Sequence, residues 1–578
     1  MSTTLLRSSS THLAFSSSTA LPFAMSEVNK SVNWDQYVFS EAFDRDCDTQ
    51  SKRHSSSASG SSPNEHLKLW DSDDASSLTS VDSSGHGVSK LEAYLYYHGV
   101  RGDRKSAPKL IYRTSTDTFS PPSGPSQDLR DMQLLTVHGH GKLSQDKLWE
   151  VIRDETARLL DRKHIKYTSV DLVRFRRSRH GLATIWIGVL PDSTNGDAAF
   201  DSTQGILELL KKYEIDDIDI AYRESEAWFL AGPILYAPVN DVHPLKSVID
   251  WGRLLLVCPS LGRWDLYGVT ARHVLFPDTE GNDLYRYTCA FMSGILTTPP
   301  KKNVVLMGNR AFDDLLASIQ ALTGTLKNTV TVLKKRVNTY AERASGGNKQ
   351  AEEDLAKYQN LDDSGPQEKD WSAVHNRVIG HVVWSPPITG LNPPHGYTCD
   401  VCVIKGNAID LGARCGKFMS LLYPRYVAPS EFDYPEDRLY LLETILAAAQ
   451  ISEPNSQDIK GNPTRFVIKR GHPTLTTVGR LNGFESRKRL YSLIGNFDSV
   501  EAAVYPYDND SGPFSRGGDS GAAIVGANND LVAQLTGGTG PTDSSDITYG
   551  TPIEWLWNDV IKVEFPDAVL FFDHPASN

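Results

Sequence analysis

Arg516-Gly-Gly-Asp-Ser-Gly521 is the stretch on which the reading of this chain turns. It is built to present one serine, Ser520, as a nucleophile. A serine hydroxyl is a poor nucleophile at neutral pH and needs a base beside it. It also needs hydrogen-bond donors aimed at the oxyanion that forms when it attacks a carbonyl. Gly518 and Gly521 remove side chains around Ser520, so the backbone can turn sharply and its N–H groups can point into a small cavity. In that reading the N–H groups of Gly518 and Ser520 form the oxyanion hole. The same residues can also be an ordinary surface turn that carries a serine, and the presence of a base decides between the two.

Upstream, Leu266-Tyr-Gly-Val-Thr-Ala-Arg-His-Val-Leu275 is an apolar, strand-like run that passes through small residues to His273. Further on, in Tyr397-Thr-Cys-Asp-Val-Cys-Val-Ile-Lys405, Asp400 opens a short alternating strand that would hold a carboxylate at a buried edge. The chain order is therefore His273, Asp400, Ser520. Nucleophile, base and orienting acid recur on unrelated folds in different orders, and the order identifies the fold. At these three motifs the chain resembles the trypsin-like (chymotrypsin-fold) serine peptidases, and as a whole it is similar to large, little-characterised fungal members of that family.

The resemblance covers roughly residues 250 to 565 and implies a C-terminal all-β domain of two β-barrels. It implies a serine endopeptidase with His273, Asp400 and Ser520 as the catalytic residues and Gly518 and Ser520 as the oxyanion hole. Leu531-Val-Ala-Gln-Leu-Thr-Gly-Gly538 resembles the strand whose edge pairs with an extended substrate, which makes Thr536 and Gly537 substrate-binding residues. Phe514, six before the nucleophile, is placed near the floor of the specificity pocket. There it implies an apolar or small side chain before the scissile bond; simple core packing is the other reading. Lys469-Arg-Gly-His-Pro-Thr-Leu-Thr-Thr-Val-Gly479 is similar to a K-x-G-x-x-T-G-x-T-x-G segment of some members, with Leu475 at a usual glycine. Tyr549-Gly-Thr-Pro-Ile-Glu-Trp555 resembles the closing strand that leads into a C-terminal helix.

The chain also departs from the family. Secreted members carry a disulfide cysteine directly after the histidine, where this chain has Val274. Its cysteines, at 47, 258, 289, 399, 402 and 415, are too sparse for a disulfide framework. Cys399 and Cys402 spell C-x-x-C without a second pair, and residues three apart on a strand face opposite ways, so buried thiols are expected and no metal. Secreted members are activated when a new N-terminus pairs with the aspartate before the serine. Here that residue is Asp519, which requires either processing or an internal partner. A scaffold that binds extended peptides by strand addition without catalysis is the competing reading.

Length and composition bound the rest. A chain of 578 residues exceeds a single core. Its net charge of −12 argues against a nucleic-acid partner. No run is long and apolar enough for a membrane span, and no secretory signal stands out, so an intracellular, cytoplasmic location is expected. No cofactor is expected, and the partner is a polypeptide substrate. Residues 1–90 are Ser-rich and read as a disordered tail. Residues 91–245 read as a small α/β domain, with a helix from Gln145 capped by Ser144, strands over 169–176 and 182–190, a helix around 206–213 and a strand over 218–222. Residues 246–578 form the peptidase domain, interrupted over about 308–372 by a helical hairpin. Phe312, Leu315, Ile319, Leu322, Leu326, Val330, Leu333, Val337 and Tyr340 give its first arm an apolar stripe of coiled-coil character. That hairpin is read either as a lid, substrate guide or self-association arm, or as packing against the α/β domain.

Overall fold

The computed structural model describes residues 85–100, 107–120, 132–176, 180–229, 254–260, 263–276, 280–287, 299–305, 378–406, 417–419, 439–458, 461–471, 474–492, 495–540 and 546–570, with single positions at 324, 331, 335, 339, 375 and 572. Residues 57–319 and 373–578 group into one compact unit, and residues 1–56 with 320–372 into another. In the latter, Gly324, Thr331, Lys335 and Thr339 are helical, and Thr339 Oγ1 donates to the Lys335 carbonyl at 2.9 Å. The remainder of the expected helical hairpin and the Ser-rich tail before residue 85 lie outside the described residues.

The larger unit is mostly β-sheet with few helices. Its first layer holds β1 (Leu110–Arg113), β2 (Gln133–Leu135), β3 (Tyr167–Arg176), β4 (His180–Val189) and β5 (Ile218–Glu224). Helix α1 (Lys90–Leu95), capped by Ser89, precedes it. β3 and β4 form an antiparallel pair, whereas β4 and β5 run parallel. A parallel pair needs a crossover, and α3 (Gly196–Lys212) supplies it, started by the Asn195 side chain accepting from the Ala198 N–H. Together with α2 (Leu148–Arg162), it covers a core of Ile152, Leu160, Val170, Ile185, Ile187 and Ile206.

Two local expectations need correction. Helix α2 begins at Leu148 rather than Gln145, behind Lys147 in the left-handed region, and the Ser144 hydroxyl instead accepts from the His140 N–H at 3.0 Å. The i, i+3, i+4 spacing of Leu148, Val151, Ile152 and Leu159 predicts an apolar face that includes Val151, yet Val151 is 43% exposed; Trp149, Ile152, Ala157 and Leu160 line the buried side. The hydrophobic period was right, and its phase was set by contact with the sheet.

The C-terminal strands are β19 (Pro463–Gly471), β20 (Leu475–Leu481), β21 (Ser486–Ser492), β22 (Gly495–Pro506), β23 (Ala523–Gly526), β24 (Asp530–Gly540) and β25 (Ile547–Pro552). Their antiparallel pairing closes on itself: β19 with β20, β20 with β22, β22 with β25, β25 with β24, β24 with β23, and β23 with β19. The ring encloses Val467, Leu481, Val504, Phe514, Ile524 and Leu535. Three abutting helical segments, Ile553–Trp555, Leu556–Ile561 and Lys562–Glu564, follow β25.

A second sheet carries β7 (Leu254–Ser260), β8 (Arg263–Thr270), β9 (Tyr285–Arg286), β10 (Asn303–Val305), β11 (Val378–Ser385), β14 (Cys402–Gly406) and β26 (Val569–Leu570). It runs β10, β11, β14, β8, β7, β26, all antiparallel, with β9 also on β11. Among the described residues this sheet does not close. A hairpin, β12 (Thr389–Asn392) with β13 (Tyr397–Cys399), leads into it. Short pieces complete the list: β15 (Lys417–Met419) with β16 (Leu439–Leu441), β17 (Thr444–Ile445) beside β24, and β18 (Ser456–Gln457) on β19.

The first layer and the ring share one continuous sheet. β21 pairs with β3, and β6 (Glu226–Phe229) pairs with β24. At that seam lies a buried polar network. Asp171 accepts from the Tyr549 hydroxyl at 2.8 Å and from Ser169 Oγ at 2.8 Å. Arg223 stands 3.6 Å from both Asp171 and Asp546, stacked on the Trp186 ring at 3.4 Å.

Candidate active site

Register brings His273 and Asp400 together. On the β8–β14 pair, Cys402 lies opposite Thr270. In an antiparallel pair, counting back along one strand means counting forward along the other. Asp400, just before β14, therefore meets the short helix α4 (Arg272–Leu275) that follows β8 and carries His273. His273 Nδ1 lies 2.5 Å from Asp400 Oδ2, and the His273 N–H donates to Oδ1 at 3.2 Å. Asp400 is 1% exposed and His273 6%. Burial alone would raise the Asp400 carboxyl. The His273 charge, with hydrogen bonds from its ring and from the backbone N–H groups of His273 and Arg272, outweighs that and holds it below the usual carboxylate range. Arg272 anchors α4, donating to the carbonyls of Ser385 at 2.9 Å and Asp283 at 2.8 Å.

Ser520 sits in the turn between Phe514 and β23. Gly518 has φ +96° and Gly521 φ +78°, values that favour glycine. A Cβ on Gly521 would stand 2.2 Å from Thr270 Oγ1 and 2.9 Å from the Ala271 nitrogen. The turn that holds Ser520 therefore lies directly on the residues that lead into His273, and only glycine permits that approach. The Asp519 N–H closes the turn onto the Arg516 carbonyl at 3.1 Å, and the Ala522 N–H onto that of Asp519 at 3.1 Å. Among the described residues neither the Gly518 nor the Ser520 N–H enters such a backbone bond. Ser520 Oγ is buried and has no hydrogen-bond partner among them.

Asp519 has an internal cation. Lys469 Nζ lies 3.1 Å from Asp519 Oδ2, both side chains fully buried. The same oxygen accepts from Thr474 Oγ1 at 2.7 Å and from the Arg516 N–H at 2.9 Å. Lys469 also donates to Thr474 Oγ1. Burial pushes the Lys469 ammonium below its usual value, and the Asp519 carboxylate offsets only part of that. Gly471 makes room for this carboxylate, since a Cβ there would meet Asp519 Oδ1 at 2.0 Å.

Of the other residues singled out in the sequence, Thr536 is buried on β24 and Gly537 pairs with Phe229 of β6 on one side and Tyr549 of β25 on the other. Phe514 is 1% exposed and packs within the ring core against Gly479. Cys399 and Cys402 are buried free thiols, and burial pushes Cys399 up to about 12. Among the described residues no cluster of His, Cys, Asp and Glu could hold a metal ion, and no helix is long and apolar enough to cross a membrane.

Sequence reading missed two supports. Gln534 donates from Nε2 to the Asp400 carbonyl at 2.8 Å, tying the ring to the second sheet at the acid. Lys469 was noticed only as part of a segment, not as the partner of Asp519. Gln534 had a signal, one polar residue inside the apolar run Leu531-Val-Ala-Gln-Leu535, whereas Lys469 only ends the run Phe466-Val-Ile and is followed by Arg470. A buried polar group needs a partner.

No known sequence family matches the chain, and no curated protein does. Solved structures similar to parts of it include Rv3671c from M. tuberculosis H37Rv, in the inactive form of a serine-to-alanine mutant. That match covers 33% of this chain and 73% of the other at 13% identity, with a TM-score of 0.16. The HtrA-type protease AlgW with a decapeptide matches over 33% of this chain and 43% of its own at 14% identity and a TM-score of 0.15. Its serine-to-alanine variant with a decapeptide matches over 33% and 45% at 13% identity and a TM-score of 0.14. This chain thus spans less than half the length of either AlgW chain. At that identity and TM-score the likeness carries no argument.

Proposed function

We propose that this chain is a trypsin-like serine endopeptidase built on two β-barrels. Ser520 attacks the scissile carbonyl, His273 takes the hydroxyl proton on Nε2 and returns it to the leaving amine, and Asp400 holds the imidazole with its proton on Nδ1. Water then releases the acyl group from Ser520. The N–H groups of Gly518 and Ser520 stabilise the oxyanion. The substrate is an extended polypeptide lying along Thr536 and Gly537, with an apolar or small side chain before the cut.

The observation that carries this reading is the buried 2.5 Å contact between His273 Nδ1 and Asp400 Oδ2. A histidine that only filled core space would not need a carboxylate desolvated against it. The ion pair of Lys469 with Asp519 supports the reading further, because it gives the aspartate beside the nucleophile its counter-charge without a cut in the chain. The test is a fluorophosphonate probe followed by intact mass. The wild type gains one adduct and Ser520→Ala none; a folded wild type that takes no label overturns the reading.

A second reading, a peptide-binding scaffold without turnover, draws support from Ser520 Oγ, which lacks a hydrogen-bond partner among the described residues. It requires a folded protein that binds extended peptides and takes no fluorophosphonate.

A further inference from the structure

One edge of β24 is shared by two segments of the chain. Along its first part, β23 pairs with it, Ala523 opposite Gln534 and Ile524 opposite Ala533. The Gly521 N–H then donates to the Leu535 carbonyl at 2.8 Å, and the Leu535 N–H to the Ala522 carbonyl at 2.9 Å. Beyond that point β6 takes over, Phe229 opposite Gly537, Trp228 opposite Gly538, Ala227 opposite Thr539 and Glu226 opposite Gly540. The other edge of β24 belongs to β25 from Ala533 to Thr539. A strand has only two edges, so β6 continues the line of residues 521–526, with Thr536 alone between them. β6 is antiparallel to β24, so its Phe229 end points at the turn that holds Ser520.

Resting on the peptidase reading, we propose that Glu226–Phe229 is a substrate-like strand supplied in cis. It occupies the edge where an extended polypeptide must pair to bring a carbonyl to Ser520, and an incoming substrate must displace it. Two features suit a strand that is held yet exchangeable. First, its entry is anchored: the Ser225 N–H donates to the Val189 carbonyl at 2.8 Å, and Thr168 Oγ1 to the Ser225 carbonyl at 3.0 Å. An anchored segment meets its partner at high effective concentration. Second, the receiving stretch is Gly537-Gly-Thr-Gly540, which offers main-chain groups and almost no side chain to select a partner. Such a strand specifies its neighbour weakly, and main-chain hydrogen bonds alone accept any extended chain.

The experiment compares the full-length wild type with Ala227→Pro and Trp228→Pro. Alternate N–H groups of a strand face one neighbour, so one of the two prolines removes a bond to β24 and the other serves as control. Fluorophosphonate is too small to need the strand edge. It labels all three proteins if the site is intact, and failure to label the wild type would count against the peptidase reading instead. With unfolded, fluorophore-labelled casein, one proline variant is expected to show a KM lowered roughly three- to tenfold, the effect of losing a hydrogen bond or two, with kcat little changed. Unchanged or raised KM in both labelled variants overturns the proposal. Should the prolines unfold the protein, hydrogen exchange on full-length Ser520→Ala decides. Excess synthetic peptide copying residues 223–229 should speed exchange of the 226–229 amides, and undiminished protection there overturns the proposal.

Discussion

Asp400 is a carboxylate taken wholly out of water, and its two oxygens face the His273 ring and the backbone N–H groups of Arg272 and His273. Such a group is tolerated only with its charge answered. Asp400→Asn keeps the shape and presents the wrong hydrogen-bonding pattern to Nδ1, so turnover should fall by about 10⁴-fold in a protein that still folds, with its thermal midpoint near neutral pH lowered by the lost charge pairing. Steady-state kinetics beside a melting curve check both. The pH sign follows from the depressed carboxyl. Its folded value lies below the unfolded one, so the stabilisation is complete above the usual carboxylate range and is lost as pH falls through the folded value. Acid unfolding of the Asn variant should lack that part of the slope. These residues were legible in sequence because each stands in a locally unusual setting: glycine around Ser520, small residues before His273, a lone acid at a strand start. The glycine at 521 was legible as a turn, but its close approach to Thr270 was not, because that contact spans the two sheets.

At the scale of elements, β19 is tied to the turn that holds Ser520 by a buried ion pair between Lys469 and Asp519. Lys469→Met removes the cation and strands Asp519, so the turn loses its brace. The expected result is a kcat lowered by up to about 10²-fold, comparable to losing an oxyanion donor, with KM little changed. The charges facing Lys469 are Asp519, which favours the ammonium, and Arg470, which opposes it; the Phe514 ring lies 5.6 Å away. Because burial lowers Lys469 below 10.5, wild-type activity should decline on an alkaline limb under that pH, as the neutral amine releases Asp519. The Met variant should have no such limb. For stability the sign is opposite: a lysine lowered on folding costs stability at neutral pH, and the cost fades as pH rises toward 10.5. Helix α2 shows the other limit of local reading. Its 3.6 period was visible, yet only the sheet beneath it decided that Trp149 faces inward and Val151 outward.

Across the larger unit, the first layer is joined to the C-terminal ring through backbone pairing and through the network around Arg223. Asp171→Ala would take away one of the two carboxylates that stand 3.6 Å from the buried Arg223, and the carboxylate that accepts from the Tyr549 hydroxyl. Breaking a buried pair in this way costs about 3–5 kcal/mol. Denaturant unfolding should therefore show a lower midpoint, and intrinsic tryptophan fluorescence should report the change early, because Trp186 stacks on Arg223. A single transition for both layers is the expected form, since β3, β21 and β22 belong to one sheet.

What the sequence determined by itself was the chemistry on offer: a serine between glycines, a histidine after a strand, a buried acid, and their order along the chain. Those are local properties, set by backbone freedom at glycine and by alternation along a strand. Tertiary structure alone decided which groups meet. Lys469 finds Asp519, Gln534 finds the Asp400 carbonyl, and β6 finds the edge of β24 through registers between segments far apart in sequence. A strand's neighbour depends on which other edge is free and in phase, and no stretch of sequence carries that information alone.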